Sequence, residues 1–145
     1  MYYRVTLEEF DGDWVFILAL KKGTPETIQQ ALDYADDSVS AEDKHGIRHY
    51  VLYKDGKIVQ IHLYRALDII PHPDPGNPAS IPMPRMDAIM FGASPKPTLL
   101  ITFKEGGKRD KTAYGLSPNV FLTFDGDDLA YLYIIDVYSV LSDVG

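Results

Sequence analysis

The sequence predicts an α+β fold: a β-rich antiparallel meander of about eight strands with one amphipathic helix packed on a face. Three observations carry this. Short runs of alternating apolar and polar residues recur along the chain, separated by Asp-Gly or Gly-rich turns. One segment, after Thr24, has helical apolar spacing. Residues 71–84, PHPDPGNPASIPMP, hold six prolines and suit neither a helix nor a central strand, because proline lacks a donor and fixes φ.

Residues 2–20 read as a hairpin. Asp11-Gly12 suits a type I′ turn, whose central residues need positive φ. Phe10 then pairs with Asp13, Leu7 with Phe16 and Val5 with Leu18. A helix follows, with Thr24 as cap, Pro25 at the first position and Ile28, Ala31, Leu32 and Ala35 on one face. It should end near Asp36 and Asp37, since acids are unfavourable at a helix C-terminus. The polar stretch SVSAEDKHG reads as a loop.

A second hairpin spans 47–65. With Asp55 and Gly56 as its turn, Lys54 faces Lys57 and His49 falls directly opposite His62, in a non-hydrogen-bonded pair whose side chains stand closest. Tyr50, Leu52, Val59, Ile61 and Leu63 then share a core face. His49, Val51, Tyr53, Ile58, Gln60, His62 and Tyr64 share the other, which is aromatic and half polar. Beyond the proline-rich connection, Asp87–Phe91, Thr98–Lys104, Lys111–Leu116, Asn119–Phe124 and Leu129–Asp136 read as strands. Glu105–Lys108 and Asp125–Asp128 read as turns. The end, VYSVLSDVG, extends the last strand or closes as a short helix. No solenoid repeat is visible.

At 145 residues the chain has the length of one domain, and residues 1–145 are read as a single domain whose two β-rich halves are joined by 71–84. Its apolar share and its ten tyrosines can build a core without metal or disulfide. A net charge of −7 disfavours broad nucleic-acid binding and favours a basic protein partner. Residues 112–145 carry no Lys or Arg, which adds an acidic C-terminal surface. With no cysteine, thiol chemistry and disulfides are excluded, and a cytoplasmic location fits. The start MYYRVTLEEF lacks the pattern of a signal peptide, and no apolar run is long enough for a membrane span.

Several side chains are candidates for function. His49 and His62, as opposed neutral imidazoles, would hold zinc if a third ligand such as His72 joined them. Either histidine would also serve as a general base. The plainer reading makes both polar members of a sheet face. The basic run Lys104, Lys108, Arg109 and Lys111 lies near Phe103 and Tyr114. It would meet a phosphate, an RNA strand or an acidic partner, or simply blunt a hairpin tip. Asp125, Asp127 and Asp128 lack the order of a calcium loop. His72 and Asp74 sit on the rigid proline-rich loop, which favours docking over chemistry. Gly92-Ala93-Ser94-Pro95 is not a nucleophile elbow.

The first expectation is a small soluble protein-binding module, an accessory or inhibitor protein of phage, immunity or regulatory type, without cofactor. It acts by stoichiometric contact through Tyr53, Gln60, His62, Tyr64, His72 and Asp74. The alternatives are a metal-dependent or acid–base hydrolase centred on the His49–His62 pair, and a self-assembling structural component.

Overall fold

The computed structural model describes residues 1–90 and 96–144, the side chain of Met90 excepted. Phe91 at the end of one expected strand, and Gly92-Ala93-Ser94-Pro95, lie outside the described residues. Ten strands form two five-stranded antiparallel sheets rather than one meander of about eight. The first sheet contains β1 (Arg4–Phe10), β2 (Asp13–Ala19), β3 (Asp37–Glu42), β4 (Arg48–Lys54) and β5 (Lys57–Leu63), side by side in the order β1-β2-β5-β4-β3. The second contains β6 (Arg85–Met90), β7 (Pro97–Thr102), β8 (Tyr114–Ser117), β9 (Val120–Asp125) and β10 (Asp128–Ile135), in the order β6-β7-β10-β9-β8.

Numbered within their own halves, the two orders are the same. The likeness extends past the strands. Each half ends on a left-handed residue, Arg65 (φ 50) or Asp136 (φ 59). Each of these starts a one-turn helix, α2 (Ala66–Ile69) or α3 (Val137–Val140). Helix α2 packs on β2 and reaches across to β10; α3 packs on β7 and reaches across to β5. The chain is therefore a two-fold structural repeat. It escapes a search for sequence periodicity because what recurs is pairing order and burial, not residue identity.

The two inner faces make one core. Phe16, Leu18, Val51, Ile61 and Leu63 from the first sheet join Leu99, Ile101, Leu122, Phe124, Leu132 and Ile134 from the second in a single buried cluster. Phe16 and Phe103 meet edge to face at 5.4 Å. The short helices seal the cluster with Ala66, Ile69, Val137 and Val140.

The first hairpin has the expected register, including Phe10↔Asp13, Leu7↔Phe16 and Val5↔Leu18. Both Asp-Gly turns carry positive φ at both positions: Asp11 51 and Gly12 83, Asp55 53 and Gly56 77. The second hairpin begins as expected, with Lys54↔Lys57 and Tyr53↔Ile58. A bulge then leaves Val59 unmatched, and the next pair is Leu52↔Gln60. Every pair beyond is displaced by one, so Tyr50, not His49, faces His62.

Helix α1 (Ile28–Tyr34) is shorter than expected. Thr27, not Thr24, caps it, accepting from Gln30 N at 3.3 Å. Thr24 and Pro25 are held instead in a turn by Gln60. Leu32, expected on the packed face, is 42% exposed. Two further departures have a common cause. β3 occupies the stretch read as a loop, and β8 pairs with β9 rather than returning along β7. Both are edge strands with few apolar residues, and their pairing is decided by the neighbouring strand. The proline-rich connection has one short turn of 3-10 helix at Pro78–Ser80. Among the described residues no helix is long and apolar enough to cross a membrane.

Because the sheets share one core, damage to either should unsettle both. Leu132→Ala, in the second sheet, is expected to cost about 2–5 kcal/mol. The urea midpoint read from Trp14 fluorescence, in the first sheet, should fall with it. A Trp14 transition that stays in place while the far-ultraviolet signal shifts would mean two independently folding halves.

Candidate functional site

The bulge at Val59 separates the two histidines. His62 shares the outer face of the first sheet with its partner Tyr50, whereas His49, next to Tyr50 along β4, points to the inner face. The expected opposed pair therefore does not exist, and with it goes the geometry of the two-histidine zinc site. Among the described residues no three His, Asp or Glu side chains are grouped to hold a metal ion.

Each histidine has a local structural task. His49 is fully buried, and its Nε2 donates to Asp43 Oδ2 at 2.7 Å. Its Nδ1 accepts from the Tyr64 backbone N–H at 3.0 Å, which fixes the tautomer. No ring nitrogen is left for a substrate. Asp43 Oδ1 also accepts from the backbone N–H groups of His45 and Ile47 at 2.7 and 3.1 Å. Burial by itself would raise the Asp43 pKa. The hydrogen bond from His49 and those from the backbone outweigh it, holding the carboxyl below its ordinary value. The dyad thus ties the β3–β4 turn to the end of β5.

His62 donates from Nε2 to Gln60 Oε1 at 2.7 Å. The Gln60 amide in turn donates to Thr24 Oγ1 at 3.1 Å and Pro25 O at 2.6 Å. This chain fastens the turn ahead of α1 to the sheet. Burial pushes the His62 pKa down to about 4.

The residues expected to form one contact surface are dispersed. Gln60 and His62 are 1% exposed and cannot meet a partner in the folded chain. Tyr53 lies on the inner side and packs half-buried against the core. Tyr64 is half-buried on the outer side between Phe10 and Tyr50, with ring centroids 6.5 and 5.4 Å away. His72 is half-buried, donating from Nδ1 to Ile70 O at 2.8 Å. Exposed Asp74 accepts from Gly76 N at 3.1 Å in a local turn. The basic run is also divided. Lys104 bonds to Asp128 and Asp125 at 2.9 and 3.3 Å, so it neutralises the acidic turn instead of joining Lys108, Arg109 and Lys111.

A different surface stands out when the outer faces of the two sheets are compared. On the first sheet, Ile28 of α1 packs on Val15 and Ile17, and Ala31 packs on Leu52 and Val59. On the second sheet, β7 is followed not by a helix but by the loop 103–113. Among the described residues no helix covers this face. Across it the register sets Thr102, Tyr131 and Thr123 in one row, and Leu100, Tyr133 and Phe121 in the next. Ile135, 40% exposed, lies beyond them.

Leu100, Phe121, Tyr131 and Tyr133 are each half-buried. The Thr102 and Thr123 hydroxyls are buried without a hydrogen-bond partner. A shallow groove of about 320 Å³ runs between Ile89, Leu100, Tyr131 and Tyr133, with Gly107 and Arg109 on its rim. The Arg109 guanidinium lies 5.8 Å from the Tyr131 ring centroid and donates to the Tyr133 hydroxyl. The sequence marks Leu129–Asp136 only as a strand. The available signal was its alternation, with Tyr131, Tyr133 and Ile135 interleaved with Leu132 and Ile134, two apolar faces on one strand.

Comparison of the chain with protein-family models, with curated proteins and with solved structures finds no match.

The buried His62 gives a distinct acid sensitivity. Its folded pKa lies below the ordinary 6.5, so the unfolded chain takes up a proton first as pH falls. Stability should therefore drop by about 3 kcal/mol between pH 6.5 and pH 4 and then level off for this group. Asp43 contributes separately: its stabilisation holds above pH 3.8 and is lost below, as pH falls through its lowered pKa. Urea titrations across pH should show the upper step, and His62→Leu should abolish it while leaving the lower one. An unchanged upper step in that variant would assign it to another group.

Proposed function

We propose that this chain is a protein-binding module that acts by stoichiometric contact, in the manner of an accessory or inhibitor protein, through the outer face of its second sheet. The observation that carries this is the contrast between two equivalent faces. One is closed by a helix of the same chain. The other leaves Leu100, Phe121, Tyr131, Tyr133 and Ile135 at the surface. Contiguous apolar and aromatic surface of this kind marks interaction sites, and tyrosine is well suited to them. The chemistry of the histidines supports the same reading. Each is committed to holding a turn, and His49 has both ring nitrogens engaged.

The test is affinity chromatography with the purified chain as bait. The wild type should retain one protein in close to equal amount. Ile135→Asp, an exposed position, should keep its unfolding free energy within about 0.5 kcal/mol of wild type and lose that partner. Tyr53→Ala, on the opposite sheet, should keep it. Retention of the partner by Ile135→Asp would move the contact elsewhere on the molecule.

A further inference from the structure

The same face also carries information about what covers it. In the first half, the segment between the second and third strands crosses the outer face as α1, an amphipathic helix with Asp33 among its exposed residues. In the second half, the equivalent segment 103–113 is a loop and forms no helix. The sheet beneath it has the same pairing order and is left without its helix.

Charge narrows the choice further. Lys44, Arg48, Arg65, Arg85, Lys96 and Lys104 all sit in ion pairs with carboxylates. Among the described residues, Lys108, Arg109 and Lys111 have no such pair, and all three are exposed; the other cations without one, Arg4, Lys21, Lys22, Lys54 and Lys57, belong to the first half of the chain. The one acid inside their run, Asp110, is bound to Lys44 at 2.8 Å. A protein of net charge −7 thus keeps uncompensated cations on the loop that borders this open aromatic groove. Arg109 is already oriented, with Tyr131 under it and the Tyr133 hydroxyl accepting from it. Its remaining donors suit a carboxylate.

We infer that the occupant of this groove is an acidic amphipathic helix of a partner protein. It lays apolar side chains at helical spacing over Leu100, Tyr133 and Phe121, and brings a carboxylate to Arg109. It takes the place on the second sheet that α1 takes on the first. The inference rests on the reading of this face as the contact surface and adds the partner's chemistry. A nucleic-acid strand fits less well, because three cations are set against an acidic molecule and the groove floor is partly aliphatic.

The test uses the intact chain and a displayed random peptide library of about sixteen residues, enough for roughly four helical turns. Selected peptides should carry apolar residues at i, i+3, i+4 and i+7, an excess of Asp and Glu, and helical circular dichroism when bound. Arg109→Glu, at an exposed position, should weaken them about tenfold or more without changing the melting curve. Lys22→Glu, a charge change near the chain termini, should leave them unaffected.

Peptides that depend on Ile135 but are basic or extended would overturn the acidic helix and leave the contact face standing. Peptides indifferent to both Ile135→Asp and Arg109→Glu would overturn both. Tight binding of labelled oligothymidylate that is lost in Arg109→Glu would overturn the helix in favour of a single strand. A concentration-dependent dimer abolished by Ile135→Asp would do so in favour of a second copy.

Discussion

Everything in this molecule depends on the burial of two apolar sheet faces against each other. A five-stranded antiparallel sheet has one face to hide, and a second sheet of the same shape hides it. Phe16, Leu18 and Leu63 are buried in one cluster with Leu99, Leu122 and Leu132. The short helices α2 and α3 follow from the same need. Each leaves its own half to touch the other, so the two halves are stitched reciprocally at the edge of the core. Cross-links at the rim repeat the theme, with Lys57 donating to Ser139 O at 2.7 Å and His45 bonding to Asp127 O at 3.1 Å.

Burial favours polar side chains that find hydrogen-bond partners, and two buried networks are understandable in those terms. Gln60, His62 and Thr24 form one chain; Asp43 and His49 with three backbone N–H groups form another. Both end on turns. The first fixes the approach to α1, which closes the outer face of the first sheet. The second fixes the β3–β4 turn, from which Lys44 and His45 reach the second sheet. Residues with the look of catalytic groups are here the joints of the scaffold.

The two-fold repeat makes the molecule's asymmetry informative. Where two halves share a pairing order, the place where they differ is the place least explained by folding. That place is the β7–β8 loop and the open aromatic face next to it. The first half covers its equivalent surface with its own helix, and so gains a third layer. The second half stops at two layers and carries unpaired cations at the margin.

Local patterns determined much on their own. The Asp-Gly turns, the register of the first hairpin and the alternation in β7, β9 and β10 follow from short-range rules of φ and period, and all are present. The tertiary structure decided what those rules cannot reach. A single bulge at Val59 exchanges the faces of β4 against the expected pairing, turning Leu52 outward under α1 and Val51 and Tyr53 to the core while Ile61 and Leu63 keep their inner side, because strand period is two. That slip parted His49 from His62, while the turn at Thr24 and Pro25 holds Gln60. The edge strands β3 and β8, polar and short, exist only because β4 and β9 offer them partners. Which outer face is covered depends on where α1 lies in three dimensions. The candidate surface was therefore hidden from a linear reading, although each of its residues alternates visibly along its own strand.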